Sequence, residues 1–443
     1  MKRLISLSFI LCCHLFSKAQ SWTVQQCMQY AVAHNHEVRQ AELELDSYEA
    51  LKMGAVGRFL PSVSASTGVQ YNFGRAIDPE TNGYTDVSTF YNGYSLQASL
   101  PVFDGFSRLH ALRSAKASVL MGRNALRERQ DQTALATLQA WVNAVYYEGT
   151  VAMAEEKERE TALLLKQTKV MVEVGRKSPA DLAQIEAQQA EAAYEVTRQQ
   201  NLRTSALLDL KLSMGLPLAD SLCCSADNFQ PESFQPGNSQ FPTGELMVSN
   251  RETHPALLKS FYTMETQRQE WRQARSSLLP SLAVGAGLNT TFFKTLHTNT
   301  AAAFSDQFKN NMGEYVTATL SIPLFNRLQT VTSIRRAKNN YLMAREAYEQ
   351  KQIELEKLSR EALNDWQGYL RQTEQMERKV EADSLAYHLT RRQYEEGLST
   401  AIDLHATSSQ LLNSKATLLQ CRLMAMVKEQ LVRYYNGETI WTE

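Results

Sequence analysis

The chain has 443 residues, and its 46 lysines and arginines are balanced by 47 aspartates and glutamates. This balance excludes binding of nucleic acid through bulk charge, so we predict no nucleic-acid partner. The length would suit two or three compact domains, but long segments without proline argue against compact folding.

Residues 1–19 are typical of a cleaved secretory signal peptide. Two basic residues precede an apolar run from Leu4 to Phe16, and the segment ends in the small-residue pattern Ser17-Lys18-Ala19. A membrane anchor is one alternative, but about 13 apolar residues fall short of the roughly 20 that span a bilayer. Lipidation at Cys12 or Cys13 is another. Beyond this segment we predict no transmembrane helix.

Four cysteines follow the signal segment, at Cys27, Cys223, Cys224 and Cys421. They are too few for a disulfide framework in a chain of this length. No further cysteine or histidine stands at zinc-ligand spacing from the adjacent pair Cys223 and Cys224, so we predict no metal site. The role of the pair stays open, because a disulfide between neighbouring cysteines is strained.

The two halves of the sequence repeat one plan. The matched positions are Pro101 with Pro323, Gly175 with Gly397, and Leu60-Pro61-Ser62 with Leu279-Pro280-Ser281. The first two pairs are 222 residues apart and the third is 219 apart, which predicts a duplicated architecture. We predict a first repeat over residues 20–216, a linker over 217–243 and a second repeat over 244–443.

Each repeat contains a long proline-free segment in which apolar residues recur every three or four positions, as at Leu135, Leu138 and Val142. Because proline inside a helix costs about 3 kcal/mol, we predict two long helices, over 106–172 and 328–395. At 1.5 Å per residue each would be roughly 100 Å long, so partner helices must cover its apolar stripe.

Shorter helices supply those partners. We predict them over residues 37–58, 180–214, 256–277 and 401–435, with a further short helix over 23–33. Glycine-containing tip turns, over 173–180 and 396–400, join each long helix to the short helix that follows it.

Ahead of each long helix the pattern changes to alternating small or apolar and polar residues. This period of two predicts strands, in β-hairpins over 61–102 and 280–323, and a polar loop over 72–93 inside the first hairpin. Because four strands cannot close a barrel and an open edge in lipid leaves backbone groups unpaired, further copies must complete the sheet. Two copies are the minimum, and three would give twelve strands.

Aromatic residues flank the predicted strands. They are Tyr71, Phe73, Phe90, Tyr91, Tyr94, Phe292 and Phe293. Such residues form interfacial girdles around membrane barrels, so we predict that they contact outer-membrane lipid. Packing against neighbouring strands is the alternative.

The order and spacing of these motifs resemble the TolC-like outer-membrane efflux proteins of Gram-negative bacteria, over essentially the whole chain after the signal segment. The resemblance rests on Leu-Pro-Ser before each first strand, on residues 100–105 and 322–326 after each hairpin, and on the tip motif over 394–404. It implies a mainly α fold with a membrane β-barrel portion, in which a trimeric twelve-stranded barrel continues into an α-helical periplasmic barrel.

The resemblance implies a homotrimeric channel in the outer membrane that extends into the periplasm. Such a channel is the passive exit duct of a tripartite efflux or type I secretion system, with a periplasmic adaptor (membrane fusion protein) and an inner-membrane transporter as partners. It implies no enzyme activity, no catalytic residue and no cofactor, and it does not name the cargo. The alternative is a periplasmic coiled-coil adaptor or scaffold protein without a pore, which leaves the strands unexplained.

In this family the helical tips close the periplasmic entrance. By motif position the resemblance assigns a gate to Asp403, as a ring of charge at the narrowest point, and to Asp181 and Tyr394, as polar links between tips. It assigns adaptor contact to the tip-turn residues Gly175, Gly397, Leu398 and Ser399. For the two aspartates, stabilisation of a helix N-terminus is the alternative, at about 0.3–1 kcal/mol.

Two positions depart from the family pattern. Ser399 stands where family members carry a cross-linking arginine, and Ala406 stands where they carry a second aspartate. Arg176 or Lys177, in the other tip turn, is the candidate to take the place of that arginine.

Overall fold

The structure is a computed structural model that describes residues 21–77, 83–86, 88–224, 253–296 and 302–441. The predicted signal segment 1–19 lies outside these residues, as does most of the predicted linker 217–243. No helix within these ranges is both long and apolar enough to cross a lipid bilayer.

The helices and strands follow the same order in both halves. The first half contains β1 (Ser21–Trp22), α1 (Val24–His34), α2 (His36–Gly57), β2 (Ser62–Asn72), β3 (Arg75–Ile77), β4 (Tyr84–Asp86), β5 (Thr89–Phe103), α3 (Ser107–Glu173), α4 (Pro179–Met214) and β6 (Cys223–Cys224). The second half contains α5 (Pro255–Ser276), β7 (Ser281–Thr295), α6 (Phe304–Asn310), β8 (Gly313–Ser321), α7 (Gln329–Glu395) and α8 (Ala401–Tyr435). The chain is mainly helical with a small sheet portion, as the sequence predicts.

The two long helices, α3 and α7, have 67 residues each. Both continue without a break because neither contains proline and because apolar side chains recur along one stripe. In α7 the buried members of that stripe include Leu355, Ala362 and Trp366.

The chain divides into two compact units. The sheet unit comprises Leu45–Gly122 and Lys259–Tyr348, and the helical unit comprises Met1–Glu44, Arg123–Leu258 and Glu349–Glu443. Each unit contains segments from both halves of the sequence. This is expected of a duplicated chain in which the equivalent strands, or the equivalent helices, of the two repeats pack together.

The sheet unit is built on four antiparallel strands in the order β2-β5-β7-β8. The register places Ser66 opposite Ser95 and Ser99 opposite Gly285. β2 and β8 form the two edges, and neither pairs with a further strand in the part of the chain that the structure describes.

The polar loop predicted over residues 72–93 is partly wrong. Asn72 ends β2, β3 pairs with β4, and β5 begins at Thr89. The three residues from Thr89 to Tyr91 extend β5 because they pair with β2 on one side and with β7 on the other. Pairing with β2 and with β7, which is more than 200 residues away, therefore overrides the local polar composition.

Helix α6 was not predicted from the sequence. It lies beside the end of β7 that extends past β8, where the side chain of Gln307 pairs with the backbone of Phe293. The Gln307 amide nitrogen donates to the Phe293 carbonyl oxygen, and the Gln307 amide oxygen accepts from the Phe293 N–H, both at 2.9 Å. The Gln307 side chain therefore satisfies the backbone N–H and carbonyl of Phe293 in place of a neighbouring strand.

The largest core of the helical unit lies where α1, α3, α4 and α8 meet. Leu138, Leu210, Met214 and Leu423 are almost fully buried there. Gly215 ends α4 with φ 72°, and a Cβ at this position would come within 3.0 Å of the His34 carbonyl oxygen. Glycine is therefore required both by the left-handed cap and by the close approach of the two chain segments.

His254 is buried at the start of α5. Its Nδ1 accepts a hydrogen bond from the Ala256 N–H at 3.3 Å, and its ring lies 4.8 Å from that of Tyr434. Burial lowers the pKa of His254 to about 4, with Glu128 acting in the opposite direction. The imidazole is therefore neutral at pH 7 and serves as a helix cap.

We expect the stability of the helical unit to fall as the pH drops from about 6.5 to about 4, because the unfolded chain takes up a proton that folded His254 resists. The loss is on the order of 3 kcal/mol. His254→Asn, which keeps a capping oxygen but does not titrate, should flatten this part of the profile. Urea unfolding at several pH values measures it.

Exposed His36 provides the matched control, since His36→Asn also removes a histidine but leaves the buried cap at His254 in place. Identical pH dependence in the original chain and in His254→Asn would contradict the assignment.

Candidate functional site

Alternation along the strands sorts the side chains of the sheet onto two chemically different faces, because directly opposite residues share a face. The mainly apolar face, called the apolar face here, carries Val63, Ala65, Val69, Tyr71, Phe90, Leu96, Ala98, Val284, Ala286, Leu288, Phe292, Val316, Ala318 and Leu320, together with Thr67, Asn92, Tyr94, Thr290, Lys294 and Glu314. The polar face carries Ser62, Ser64, Ser66, Gln70, Ser95, Gln97, Ser99, Asn289, Thr291, Thr317, Thr319 and Ser321, together with Tyr91, Ala283, Phe293 and Tyr315.

Part of the apolar face is open in the single chain, whereas α6 covers it around Tyr94, Thr290 and Phe292. Val316 is 79% exposed, and Val63 and Leu320 are also largely exposed. A continuous exposed apolar surface marks a membrane or protein contact. On the polar face, the Ser66 and Ser95 hydroxyls lie 2.7 Å apart and hydrogen bond to each other. A hydroxyl-rich surface of this kind suits contact with water.

Some of the aromatic residues predicted to form a girdle fit contact with the membrane interface, and others fit packing against neighbouring strands. Tyr71 and Phe73 are exposed, as a membrane-interface role requires. Phe90 contacts both Tyr71 and Phe292, with ring centroids 4.9 Å and 6.1 Å away, so it also packs across strands. The girdle stays a prediction.

Both tip turns have the same local structure. Gly175 ends α3 with φ 75°, and Gly397 ends α7 with φ 83°. Beyond them, the Arg176 N–H donates to the Met171 carbonyl oxygen, and the Leu398 N–H donates to the Gln393 carbonyl oxygen, at 2.8 and 2.7 Å. These bonds satisfy the last carbonyls of each long helix, and glycine adopts the left-handed conformation at little cost.

Asp181 and Asp403 each lie three residues into the helix that follows the turn. Asp403 Oδ2 accepts hydrogen bonds from the Thr400 hydroxyl at 2.6 Å and the Thr400 N–H at 3.1 Å, while Thr400 Oγ1 accepts from the Asp403 N–H. Asp181 makes the same reciprocal bonds with Ser178. Each aspartate therefore belongs to a capping box that starts a helix.

These bonds stabilise the ionised carboxylates. Hydrogen bonds from the Ser178 hydroxyl and N–H hold the pKa of Asp181 below its usual value. The Thr400 hydroxyl and N–H lower the pKa of Asp403 in the same way. Asp403 is exposed and negatively charged at neutral pH, so it is available to meet ions as well as to cap α8.

Tyr394 occupies a different environment, inside the core of the tip. Its side chain is 1% exposed, and its hydroxyl lies 3.2 Å from the Thr168 hydroxyl on α3. The Lys177 ammonium lies 3.9 Å from the centre of its ring, in a cation–π contact. Burial raises the pKa of Tyr394. The residue thus connects α7 to α3 and to the other tip turn.

A second polar layer lies further from the tips. The Tyr387 hydroxyl donates to Glu160 at 3.0 Å, and the Lys157 ammonium donates to the Ser408 hydroxyl. Burial raises the pKa of Tyr387 to about 12 and lowers the pKa of Lys157. These contacts join α3 to both helices of the second tip.

Sequence reasoning named Asp181, Asp403 and Tyr394 but missed Thr168, Glu160 and Lys157. The structure brings Tyr394 together with Thr168 and Lys177, whereas the two aspartates bond only within their own turns. The spacing of the missed residues could have identified them, since they recur along α3 at intervals that place them on one helix face. The gate and adaptor-contact roles of the seven predicted site residues stay predictions.

Tyr394→Phe should loosen the tip. It removes the hydroxyl that bonds to buried Thr168 while keeping the ring under Lys177, at a cost of about 1 kcal/mol. Hydrogen exchange at amides near the end of α7 should become faster. Thr168→Val combined with Tyr394→Phe should cost less than the sum of the two single changes, because both remove the same bond.

Tyr194→Phe, at an exposed position on α4, is the matched control and should leave exchange at the tip as it is. Equal exchange in Tyr394→Phe and the original chain would show that the hydrogen bond does not hold the tip.

Comparisons with known proteins agree with this architecture. The model of the family described as outer membrane efflux protein matches residues 27–216 and 246–434. Outer membrane protein TolC of Escherichia coli strain K12 is 22% identical over 445 residues, which cover 99% of this chain and 87% of TolC.

Solved structures share the fold. CusC has a TM-score of 0.79 at 16% identity, over 96% of this chain and 96% of CusC. VceC from Vibrio cholerae has a TM-score of 0.79 at 12% identity, over 94% of this chain and 96% of VceC. These findings confirm the predicted resemblance and the expectation of a channel protein that is not an enzyme. The chain belongs to the outer membrane efflux protein family.

Proposed function

We propose that the chain forms the passive exit duct of an efflux system, located in the outer membrane and extending into the periplasm. The observation that carries this proposal is the four-stranded sheet with one apolar and one polar face. A water-soluble protein buries such an apolar face, whereas a membrane barrel turns it towards lipid and keeps the polar face towards a water-filled lumen.

The strands are long enough for this role. β2 has 11 residues, β5 and β7 have 15 each, and β8 has 9. Roughly 9 to 11 residues suffice for a tilted strand to cross the membrane. Each strand therefore reaches through the apolar layer, and β5 and β7 extend past it.

A homotrimer completes the sheet. All neighbouring strands are antiparallel, so β2 and β8 run in opposite directions, and β8 of one copy is able to pair with β2 of the next. Three copies give a closed barrel of twelve strands, which has no open edge and a lumen wider than the smallest membrane barrels of about eight strands.

The duct acts with two further proteins, a periplasmic adaptor of the membrane fusion class and an inner-membrane transporter. This places it in a tripartite efflux or type I secretion system. The adaptor contacts the tip turns, at Gly175, Gly397, Leu398 and Ser399. Support comes from Leu398, an apolar side chain that is exposed at the tip of the second turn.

The domain organisation is part of the proposal. Two repeats, 20–216 and 244–443, follow a cleaved signal segment 1–19 and are joined by a linker 217–243. The repeated order of helix, strands, long helix and short helix supports this division.

The proposal favours a channel over a coiled-coil adaptor or scaffold protein without a pore. Such a protein has no use for an exposed apolar sheet face or for strand edges that need partners. Both features are present in the sheet unit.

Changing neighbouring residues on opposite faces of β5 tests the membrane role. Leu96→Arg places a charge on the apolar face near mid-strand and should cost roughly 2–4 kcal/mol of folding stability in lipid. Gln97→Arg is the matched control on the polar face and should be tolerated. Both are measured as the fraction of chain that folds into lipid vesicles, followed by urea unfolding.

Equal losses in the two variants would contradict the assignment of the faces. Greater loss in Gln97→Arg would reverse it.

The gate at the helical tips consists of Asp403, Asp181 and Tyr394. In a trimer three Asp403 carboxylates would face one axis, attract cations and repel one another. Asp403→Asn removes the charge but keeps an oxygen able to accept the Thr400 hydrogen bonds. We expect this variant to lose cation preference in planar-bilayer recordings.

Thr400→Ala is the matched control, because it removes the capping hydroxyl and leaves the Asp403 charge in place. It should destabilise the start of α8 and preserve cation preference. Unchanged ion selectivity in Asp403→Asn would leave Asp403 with the helix-capping role alone.

A further inference from the structure

A groove lies on the apolar face of the sheet, beside helix α6. Its volume is about 410 Å³, within the roughly 300–1,000 Å³ typical of ligand pockets. Phe308 of α6 and Met312, in the turn that follows, form one wall. Three neighbouring strands form the floor with two apolar-face residues each, which are Ala65, Thr67, Tyr94, Leu96, Leu288 and Thr290. We call this space the α6 groove.

Hydrogen bonds to β7 hold α6 in place as the wall of the groove. The Thr290 hydroxyl donates to the Phe308 carbonyl oxygen at 2.7 Å, and the Asn311 amide nitrogen donates to the Thr291 carbonyl oxygen at 2.8 Å. The Phe308 ring packs edge-on against the Tyr94 ring, with centroids 5.5 Å apart. The groove is therefore formed before any ligand enters it.

The polar side chains around the groove bond to their neighbours. The Thr67 hydroxyl donates to Asn92 Oδ1 at 3.2 Å, and the Asn92 amide nitrogen donates to the Tyr94 hydroxyl at 2.7 Å. The Thr290 hydroxyl is already bonded to α6. A polar ligand would lose its hydrogen bonds to water without replacing them, so the groove favours a hydrocarbon.

The lining also changes in polarity along β5. With increasing distance from α3, the residues on this face change from Ala98 and Leu96 to Tyr94 and Asn92. Tyrosine is enriched where lipid chains meet their head groups. The groove therefore matches one orientation of a lipid, with an acyl chain beside Leu96 and the head group beyond Tyr94.

The topology places the groove at one end of the strands. Helix α3 begins after the end of β5 and α7 begins after the end of β8, whereas α6 lies in the connection that leads into the start of β8. The long helices thus leave the sheet at the ends opposite α6. In the proposed duct those helices extend into the periplasm, so the groove lies towards the outer leaflet of the membrane.

We propose that the α6 groove binds one acyl chain of an outer-leaflet lipid, as a site distinct from the general lipid contact of the sheet. This rests on the proposed outer-membrane duct and adds a ligand site to it. The groove is continuous with the apolar face, so the chain enters sideways from the bilayer. Leu96, Leu288 and Met312 are 44%, 40% and 47% exposed, which leaves apolar surface for the chain to cover.

Photolabelling of the full chain tests the site. The protein is inserted into vesicles of phosphatidylethanolamine and phosphatidylglycerol, with a small fraction of phosphatidylethanolamine that carries a diazirine at the middle of one acyl chain. After irradiation, mass spectrometry of peptides locates the labels. We expect several-fold more label per residue in 94–96, 288–290 and 304–312 than in 316–320, which lies on the same sheet but outside the groove.

Two variants should lower labelling of the groove several-fold. Ala65→Phe fills the groove with a ring. Met312→Ala removes part of the wall without changing a strand residue, so it keeps the test decisive if the first variant does not fold. Ala318→Phe is the matched control, because it adds the same ring to the apolar face on β8, outside the groove, and should leave labelling of the groove as it is.

Equal labelling of the groove and of residues 316–320, unchanged by Ala65→Phe and Met312→Ala, would overturn the acyl site and leave the membrane face of the duct in place. An unlabelled groove beside a labelled 316–320 would show that another copy of the chain covers the groove, and would also overturn the site. Absence of label from every strand, with the chain remaining outside the vesicles, would overturn the duct as well.

Discussion

The whole structure depends on a sheet that cannot be satisfied alone. Among the described residues, neither β2 nor β8 pairs with a further strand at its outer edge, and part of the apolar face is exposed. In lipid, each unpaired backbone group costs several kcal/mol, because no water is present to replace the missing hydrogen bond. In the proposed duct, closure by further copies removes both edges at once and turns the apolar face to the membrane. Each chain already contains two hairpins side by side, and the proposed further copies extend the same antiparallel arrangement.

The helical tips show how one residue type serves two purposes. Asp181 and Asp403 start their helices through reciprocal bonds with Ser178 and Thr400, so an acidic residue at these positions needs no gate to explain it. The same bonds keep the carboxylates ionised at the exposed end of the bundle. Tyr394, by contrast, lies in buried contacts within the tip, where Lys177 contacts its ring and Thr168 its hydroxyl.

Local sequence features were sufficient for much of the fold. Absence of proline with a three-four apolar spacing indicated the long helices, and alternation of period two indicated the strands. Features that depend on distant partners were not predictable in this way. Helix α6 is held by Gln307 against the Phe293 backbone, and the first residues of β5 are strand only because β2 and β7 flank them. The burial of Tyr394 likewise depends on Thr168, which is 226 residues away in sequence.

Fractionation of cells that express the full chain, followed by planar-bilayer recording of the purified protein, tests the central claim most directly. An outer-membrane duct predicts recovery in the membrane fraction, release only by detergent, and stepwise ion currents after insertion into the bilayer. Recovery in the soluble periplasmic fraction without detergent, with no current across the bilayer, would contradict it.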